Sequence, residues 1–128
     1  MTWTRLLLTW GLLALLMPVN GILRENGFKR LMAPATAEWL SAATGIVLIL
    51  AVTRWLFRIP AAESDARLLA HSVVLVCLTV AYEFGIGFAG GRPLSEMLEN
   101  YEIWNGRAWP LVLLVLACTP WFWRGSHV

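Results

Sequence analysis

The chain has 128 residues, of which 59% are hydrophobic and 14% are charged, and its formal net charge is +2. Soluble domains contain about 45–50% apolar and about 25% charged residues, and a chain of this size has too much surface for its volume to bury the excess. The composition therefore excludes an ordinary soluble domain and favours an integral membrane protein. The small net charge, without a run of Lys or Arg, excludes a nucleic-acid-binding surface.

The first two predicted helices are each long enough to cross a bilayer, which takes about 20 apolar residues. Helix 1 is predicted over residues 3–26, with a kink at Pro18 because proline removes one backbone donor. Helix 2 is predicted over residues 36–57, and Pro60 follows it as a stop.

The second half of the chain predicts two more crossings and a short helix between them. Helix 3 begins at the N-cap pair Ser64-Asp65 and ends near residue 88. Residues 93–102 place apolar side chains at helical spacing and predict a short helix at the membrane surface. Helix 4 is predicted over residues 105–123, where Pro110 and Pro120 predict a kink or a late start. The predicted fold is all-α, a single domain over residues 1–128 with four transmembrane helices in an up-down bundle.

Polar side chains form stripes along the predicted helices. Positions that are 4, 7 or 11 residues apart share a helix face, and polar groups in hydrocarbon cost free energy unless they have partners. We therefore expect the stripes to face the interior of the bundle. They consist of Thr9, Asn20 and Arg24 in helix 1 and of Ser72, Thr79 and Glu83 in helix 3.

An up-down bundle brings the ends of helices 1 and 3 and the start of helix 4 to the same membrane face. Polar residues are concentrated in all three of these segments. The sequence therefore predicts a polar binding cluster at this face, made of Asn20, Arg24, Glu83, Tyr101, Asn105 and Arg107.

Glu83 follows Arg67 by about 24 Å of helix, which places it near the far boundary of an apolar core about 30 Å thick. Three interpretations of this carboxylate stay open: a structural ion pair with Arg24 or Arg107, a site for a proton, cation or polar headgroup, or a side chain that reaches the surface. The nearby acidic residues Glu96, Glu99 and Glu102 form either the solvated side of the short helix or a vestibule that attracts cations.

Catalytic, metal and cofactor sites are not predicted. Cys77 and Cys118 lie in apolar stretches without metal or redox spacing. His71 lies about 18 Å of helix from Glu83, so we predict a hydrogen-bonded imidazole near the membrane surface and not a metal ligand. The chain also lacks a Ser-His-Asp arrangement and a glycine-rich phosphate loop, so an enzyme is not favoured.

Aromatic and basic residues bear on location and orientation. Seven of the eight tryptophans fall near predicted helix ends, where the headgroup layer favours indole rings. The basic residues divide five against five between the two predicted faces. Setting aside the site residues Arg24 and Arg107 favours a multi-pass protein with both termini in the cytoplasm.

Three short segments, NGILRE at residues 20–25, YEFG at 82–85 and NGRAW at 105–109, resemble a group of short bacterial inner-membrane proteins. That group has four helices and no assigned activity. The resemblance covers the whole chain loosely and implies a bacterial inner membrane as the location, without implying a mechanism.

Three functional hypotheses follow. The leading one is a non-enzymatic accessory or interaction subunit in the inner membrane, whose partners are the lipid bilayer and either another membrane protein or further copies of the chain. The alternative is a small transporter or channel with a polar cavity around Asn20, Arg24 and Glu83. The third is an enzyme acting on lipid headgroups, with Glu83 as general base.

Overall fold

The structure, a computed structural model, describes residues 1–23, 26–27, 29–99, 101–102 and 108–125, without the side chains of residues 29 and 34. Helices dominate this part of the chain, as predicted. They are α1 (Trp3–Leu23), the single turn α2 (Lys29–Leu31), α3 (Pro34–Leu56), α4 (Asp65–Ala89), α5 (Leu94–Glu99) and α6 (Trp109–Phe122).

Local sequence signals explain most of the helix boundaries. The Ser64 side chain accepts a hydrogen bond from the backbone N of Arg67 at 3.2 Å, which confirms the predicted cap of α4. Gly91, with φ of 77°, adopts the left-handed conformation that follows this helix. Helix α3 begins two residues earlier than predicted because Pro34 occupies its first turn, where a missing N–H has no consequence.

Three helices, α1, α3 and α4, are long and apolar enough to cross a membrane. The fourth predicted crossing is represented by α6, which has 14 residues. Such a helix rises about 21 Å, less than the ~30 Å apolar core of a bilayer. Its start at Trp109 agrees with the predicted late start, because Pro110 lies in the first turn.

The three long helices and α6 pack around a shared interior. Helix α1 packs on α3, α3 on α6, and α6 on α4, whereas α1 and α4 contact each other less extensively. The predicted inward orientation of the polar stripes is confirmed for Thr9, Asn20 and Ser72, which are all buried. Ser72 donates to the backbone oxygen of Ala117 at 2.7 Å and so joins α4 to α6.

The predicted short helix is present as α5, which packs on the end of α4. Met97 of α5 is buried and occupies the space where a Cβ at Gly87 would lie. A glycine at position 87 therefore permits α5 to approach the α4 backbone closely.

The end of the helices that holds the N-terminus is closed by polar contacts. The Met1 ammonium lies 3.7 Å from the Glu63 carboxylate, and Arg67 donates to the Met1 backbone oxygen at 2.9 Å. Arg124 pairs with Asp65 at 2.7 Å. These contacts join the N-terminus, the loop between α3 and α4 and a residue after α6, while the side chains of Asp65 and Arg67 stay exposed.

Pro18 and Tyr82 are linked through one backbone carbonyl. Proline has no N–H, so Pro18 leaves the carbonyl of Ala14, four residues earlier, without its helical donor. The Tyr82 hydroxyl of α4 donates to that oxygen at 2.9 Å. The interruption in α1 therefore becomes an attachment point for α4.

Replacing Tyr82 by Phe should lower the free energy of unfolding by about 1 kcal/mol, the scale of a hydrogen bond between helices in a membrane. In a Pro18→Ala background the cost should nearly vanish, because the residue at position 18 then supplies the missing N–H to Ala14. The measurement is a double-mutant cycle of unfolding in mixed micelles. An equal cost of Tyr82→Phe in both backgrounds would contradict the linkage.

Candidate functional site

A cavity of about 470 Å³ lies between α1, α3, α4 and α6. Its volume falls in the range of about 300–1,000 Å³ that is typical of small-molecule sites. Most of its wall is apolar, and the polar lining is concentrated toward the ends of α1 and α4. The apolar wall includes Leu13, Met17, Ile49, Val112, Leu113 and Leu116; the polar lining includes Asn20, Glu38, Ser41, Thr79, Glu83 and Arg92.

Asn20 lines the cavity but uses its amide to join α1 to α3. Its Nδ2 donates to the Ser41 backbone oxygen at 2.9 Å and to the Ser41 hydroxyl at 3.3 Å. Its Oδ1 accepts from the Thr44 hydroxyl at 2.9 Å. Only 7% of Asn20 is exposed. Asn20, a predicted site residue, therefore lies at the cavity. Its hydrogen bonds hold α1 against α3 and so form part of the cavity wall.

The close approach of α1 and α3 depends on Gly45. A Cβ at this position would lie 3.2 Å from both Asn20 Nδ2 and Met17 Cε. Since few real Cβ atoms approach other atoms so closely, a larger residue would require the Asn20 amide and the end of the Met17 side chain to shift by a few tenths of an ångström.

Glu83 and Tyr101 are brought together as predicted. The Tyr101 hydroxyl donates to Glu83 Oε2 at 2.8 Å, and the Tyr101 ring stacks on Phe84 with centroids 5.9 Å apart. Glu83 lies on the cavity side of α4, whereas Tyr101 follows α5. This contact fastens the segment after α5 to α4 beside the cavity.

Burial raises the pKa of Tyr101 to about 12, and the hydrogen bond and negative charge of Glu83 act in the same direction, against an opposing effect of the Trp109 indole. Burial, the largest effect, and both effects of Glu83 disfavour the charged phenolate, because it would be poorly hydrated and would lie beside a carboxylate. Tyr101 therefore stays a neutral donor at physiological pH and holds the Glu83 oxygen.

Two charged residues at the cavity were missed by the sequence interpretation. Glu38 and Arg92 both line it, and Arg92 also pairs with Glu96 at 3.3 Å. A signal for Glu38 was present, because it shares a helix face with Ser41 and Gly45, three and seven positions later. Arg92 lies outside the long helices, so helical spacing could not have placed it.

Three of the predicted site residues, Arg24, Asn105 and Arg107, lie outside the described residues. The proposed ion pair of Glu83 with Arg24 or Arg107 therefore remains a prediction. The described part of the predicted cluster consists of Asn20, Glu83 and Tyr101, of which the first two line the same cavity.

His71 does not match its prediction. It is fully buried, and its ring meets Trp3 edge-on at 4.7 Å. Within the described residues neither ring nitrogen has a hydrogen-bond partner. Among the same residues, no three His, Cys, Asp or Glu side chains come together as a metal site requires.

Comparisons with known proteins supply no analogue for this site. No protein-family model matches the chain, and no curated protein or solved structure is significantly similar to it. The chemistry of the cavity is therefore argued from its own geometry.

A spectroscopic titration can test the contact between Tyr101 and Glu83. In a Tyr82→Phe variant Tyr101 is the only tyrosine, and we expect its phenolate absorbance to rise with a midpoint of about 12. Adding Glu83→Gln should move the midpoint toward the ordinary value of 10.0 without reaching it, because burial, the largest cause, remains.

The matched control is Glu96→Gln, which removes a carboxylate of α5 and should leave the midpoint in place. An absorbance midpoint that Glu83→Gln leaves unchanged would contradict the contact between Tyr101 and Glu83.

The pKa of Tyr101 is higher in the folded protein than in the unfolded chain. The stability that Tyr101 contributes is therefore complete below pH 10 and is lost as the pH rises from 10.0 to about 12.

Proposed function

We propose that the chain is a membrane protein that crosses the bilayer four times and binds a small, mostly apolar molecule in the cavity between its helices. The observation that carries the proposal is the cavity itself, which combines an apolar wall with Glu83, Glu38 and Arg92 at one end. Sites of this kind hold the body of a ligand by apolar contact and orient it through a few polar groups.

The closed end supports a binding protein or carrier over an open channel. The contacts of Met1 with Glu63 and of Arg124 with Asp65 lie at the end opposite to Glu83. Buried Phe57, Leu6 and Leu68 fill the interior there. The described residues therefore do not leave a way out of the cavity through this end.

The positions of the two ends of α6 support a fourth crossing. Tyr101, before α6, contacts Glu83, whereas Gly125 after it donates its N–H to the Ile59 backbone oxygen at 2.7 Å and Arg124 contacts Asp65. Asp65 and Glu83 are separated by about 27 Å of helix. Tyr101 and Arg124 therefore lie near opposite ends of α4.

The inner-membrane location and the cytoplasmic termini are part of the same proposal. The closed end carries Arg5, Arg54, Arg58, Arg67 and Arg124. Once Arg24 and Arg107 of the other end are set aside, the positive-inside rule favours a cytoplasmic closed end. The bacterial inner membrane comes from the resemblance of the three short segments.

Cysteine labelling from each side of the membrane tests the fourth crossing. With Cys77 and Cys118 replaced by alanine, a cysteine appended after Val128 should react from the same side as Ala62→Cys and from the opposite side to Ser95→Cys. Both reference positions are exposed, in the α3–α4 loop and in α5 respectively. If the appended cysteine reacted from the same side as Ser95→Cys, α6 would not cross the bilayer and the fourth crossing would be wrong.

The cavity is tested by a matched pair of neighbouring alanines in α3. Ala42 lines the cavity, whereas Ala43 is exposed on the outside at almost the same depth. In the cysteine-free background, Ala42→Cys should react with a water-soluble maleimide about tenfold faster than Ala43→Cys, because the reactive thiolate needs water and a thiol facing lipid has none.

Equal protection of both cysteines would overturn the binding proposal, because the cavity would then be sealed or filled in the membrane. If a stoichiometric partner also co-purified in mild detergent, the accessory-subunit hypothesis would take its place.

A further inference from the structure

Two aromatic rings form a corner in the cavity lining. Trp10 of α1 and Tyr82 of α4 both line the cavity, and their rings meet edge-on, with centroids 5.6 Å apart and planes at 85° to each other. Trp109, at the start of α6, adds a third aromatic ring to the same lining. Helices α1, α4 and α6 therefore each contribute an aromatic ring to the cavity.

The polar atoms of the two corner rings are already used in contacts between helices. The Trp10 indole donates to the Thr79 hydroxyl at 3.1 Å, and the Tyr82 hydroxyl donates to the Ala14 backbone oxygen at 2.9 Å. These bonds hold both rings in place and occupy their N–H and O–H donors, so the rings meet a ligand through their π systems. The face of an aromatic ring is the negative part of its quadrupole and attracts a cation.

The charged residues of the lining act in the same direction. Glu83 directly follows the tyrosine of the corner, about 1.5 Å further along the helix axis, and lines the same cavity as Glu38. In the described part of the lining these two carboxylates stand against one guanidinium, that of Arg92, which pairs with Glu96 at 3.3 Å. The rings and the carboxylates therefore both favour a positively charged ligand.

We infer that the cavity binds an organic cation, whose positive group lies at the corner formed by the Trp10 and Tyr82 rings and whose apolar groups lie against the aliphatic wall. The inference rests on the proposed function and names the charge and the class of its ligand. A quaternary ammonium or phosphonium group suits such a corner, because aromatic rings attract it without requiring a hydrogen bond from it. An anion of the same shape would be disfavoured by the ring faces and by the carboxylates.

A pair of ions with the same shape and opposite charge tests the inference. Tetraphenylphosphonium or tetraphenylborate is added to the cysteine-free protein carrying Ala42→Cys in neutral detergent, and the rate of reaction with N-ethylmaleimide is measured. We expect the phosphonium to half-protect Ala42→Cys at a concentration at least about tenfold lower than the borate, because the ring and charge contributions add. The control is Ala62→Cys in the exposed loop between α3 and α4, whose rate neither ion should change.

Two pairs of variants separate the rings from their hydrogen bonds. Tyr82→Leu should raise the half-protecting concentration of phosphonium about fivefold, the scale of one cation–π contact, whereas Tyr82→Phe keeps the ring, loses the bond to Ala14 and should raise it less than about twofold. Trp10→Leu and Thr79→Val form the corresponding pair for the other ring. Phe88→Leu should have no effect, because Phe88 is 57% exposed on the same helix as Tyr82 and does not line the cavity.

The outcomes distinguish the ligand from the cavity. Equal protection by the two ions, stronger protection by the borate, or no protection by either ion would overturn the organic cation. In each of these cases the proposed cavity would stand if Ala42→Cys still reacted about tenfold faster than Ala43→Cys. If these two cysteines reacted equally slowly, the binding proposal itself would fail. A loss of protection in Tyr82→Phe as large as that in Tyr82→Leu would overturn the role of the ring.

Discussion

Helices as apolar as these are compatible with a membrane, and in hydrocarbon a polar side chain needs a hydrogen-bonding partner within the protein. Most of the polar side chains described above have one, and His71 is a departure from this pattern. Much of the tertiary structure follows from this constraint. The Trp123 indole donates to the Thr53 hydroxyl at 2.9 Å and joins α6 to α3, Ser72 joins α4 to α6, and Asn20 joins α1 to α3. Each pair of neighbouring helices is thus held by a specific polar contact, and apolar packing fills the space between.

The same constraint explains why the two ends of the molecule differ. Charged residues at the N-terminal end meet partners across elements, as Arg124 does with Asp65, and the apolar interior beneath them is filled. At the other end, Asn20 is satisfied by α3 and Glu83 by Tyr101. Neither contact joins Asn20 to Glu83, and the cavity lies between the helices that carry these two residues.

Small residues and proline determine where helices approach and where they separate. Gly45 brings α3 against Asn20, and Gly87 admits Met97 of α5. Pro18 exposes a carbonyl that attaches α1 to α4 at a single level. Beyond that level residues of both helices line the cavity.

The sequence by itself determined the helical class, the three long apolar helices, the Ser64 cap and the inward direction of the polar stripes, because periodicity, capping and run length are local properties of the chain. It also placed Asn20, Glu83 and Tyr101 at one end. Only the tertiary structure decided that Asn20 joins α1 to α3 in the cavity wall, that Glu38 and Arg92 line the cavity, and that His71 is buried without a hydrogen-bond partner among the described residues. The existence of the cavity was also decided there. These features depend on how far each helix is shifted and rotated against its neighbours, and those offsets arise from side-chain packing between distant segments, which no local pattern encodes.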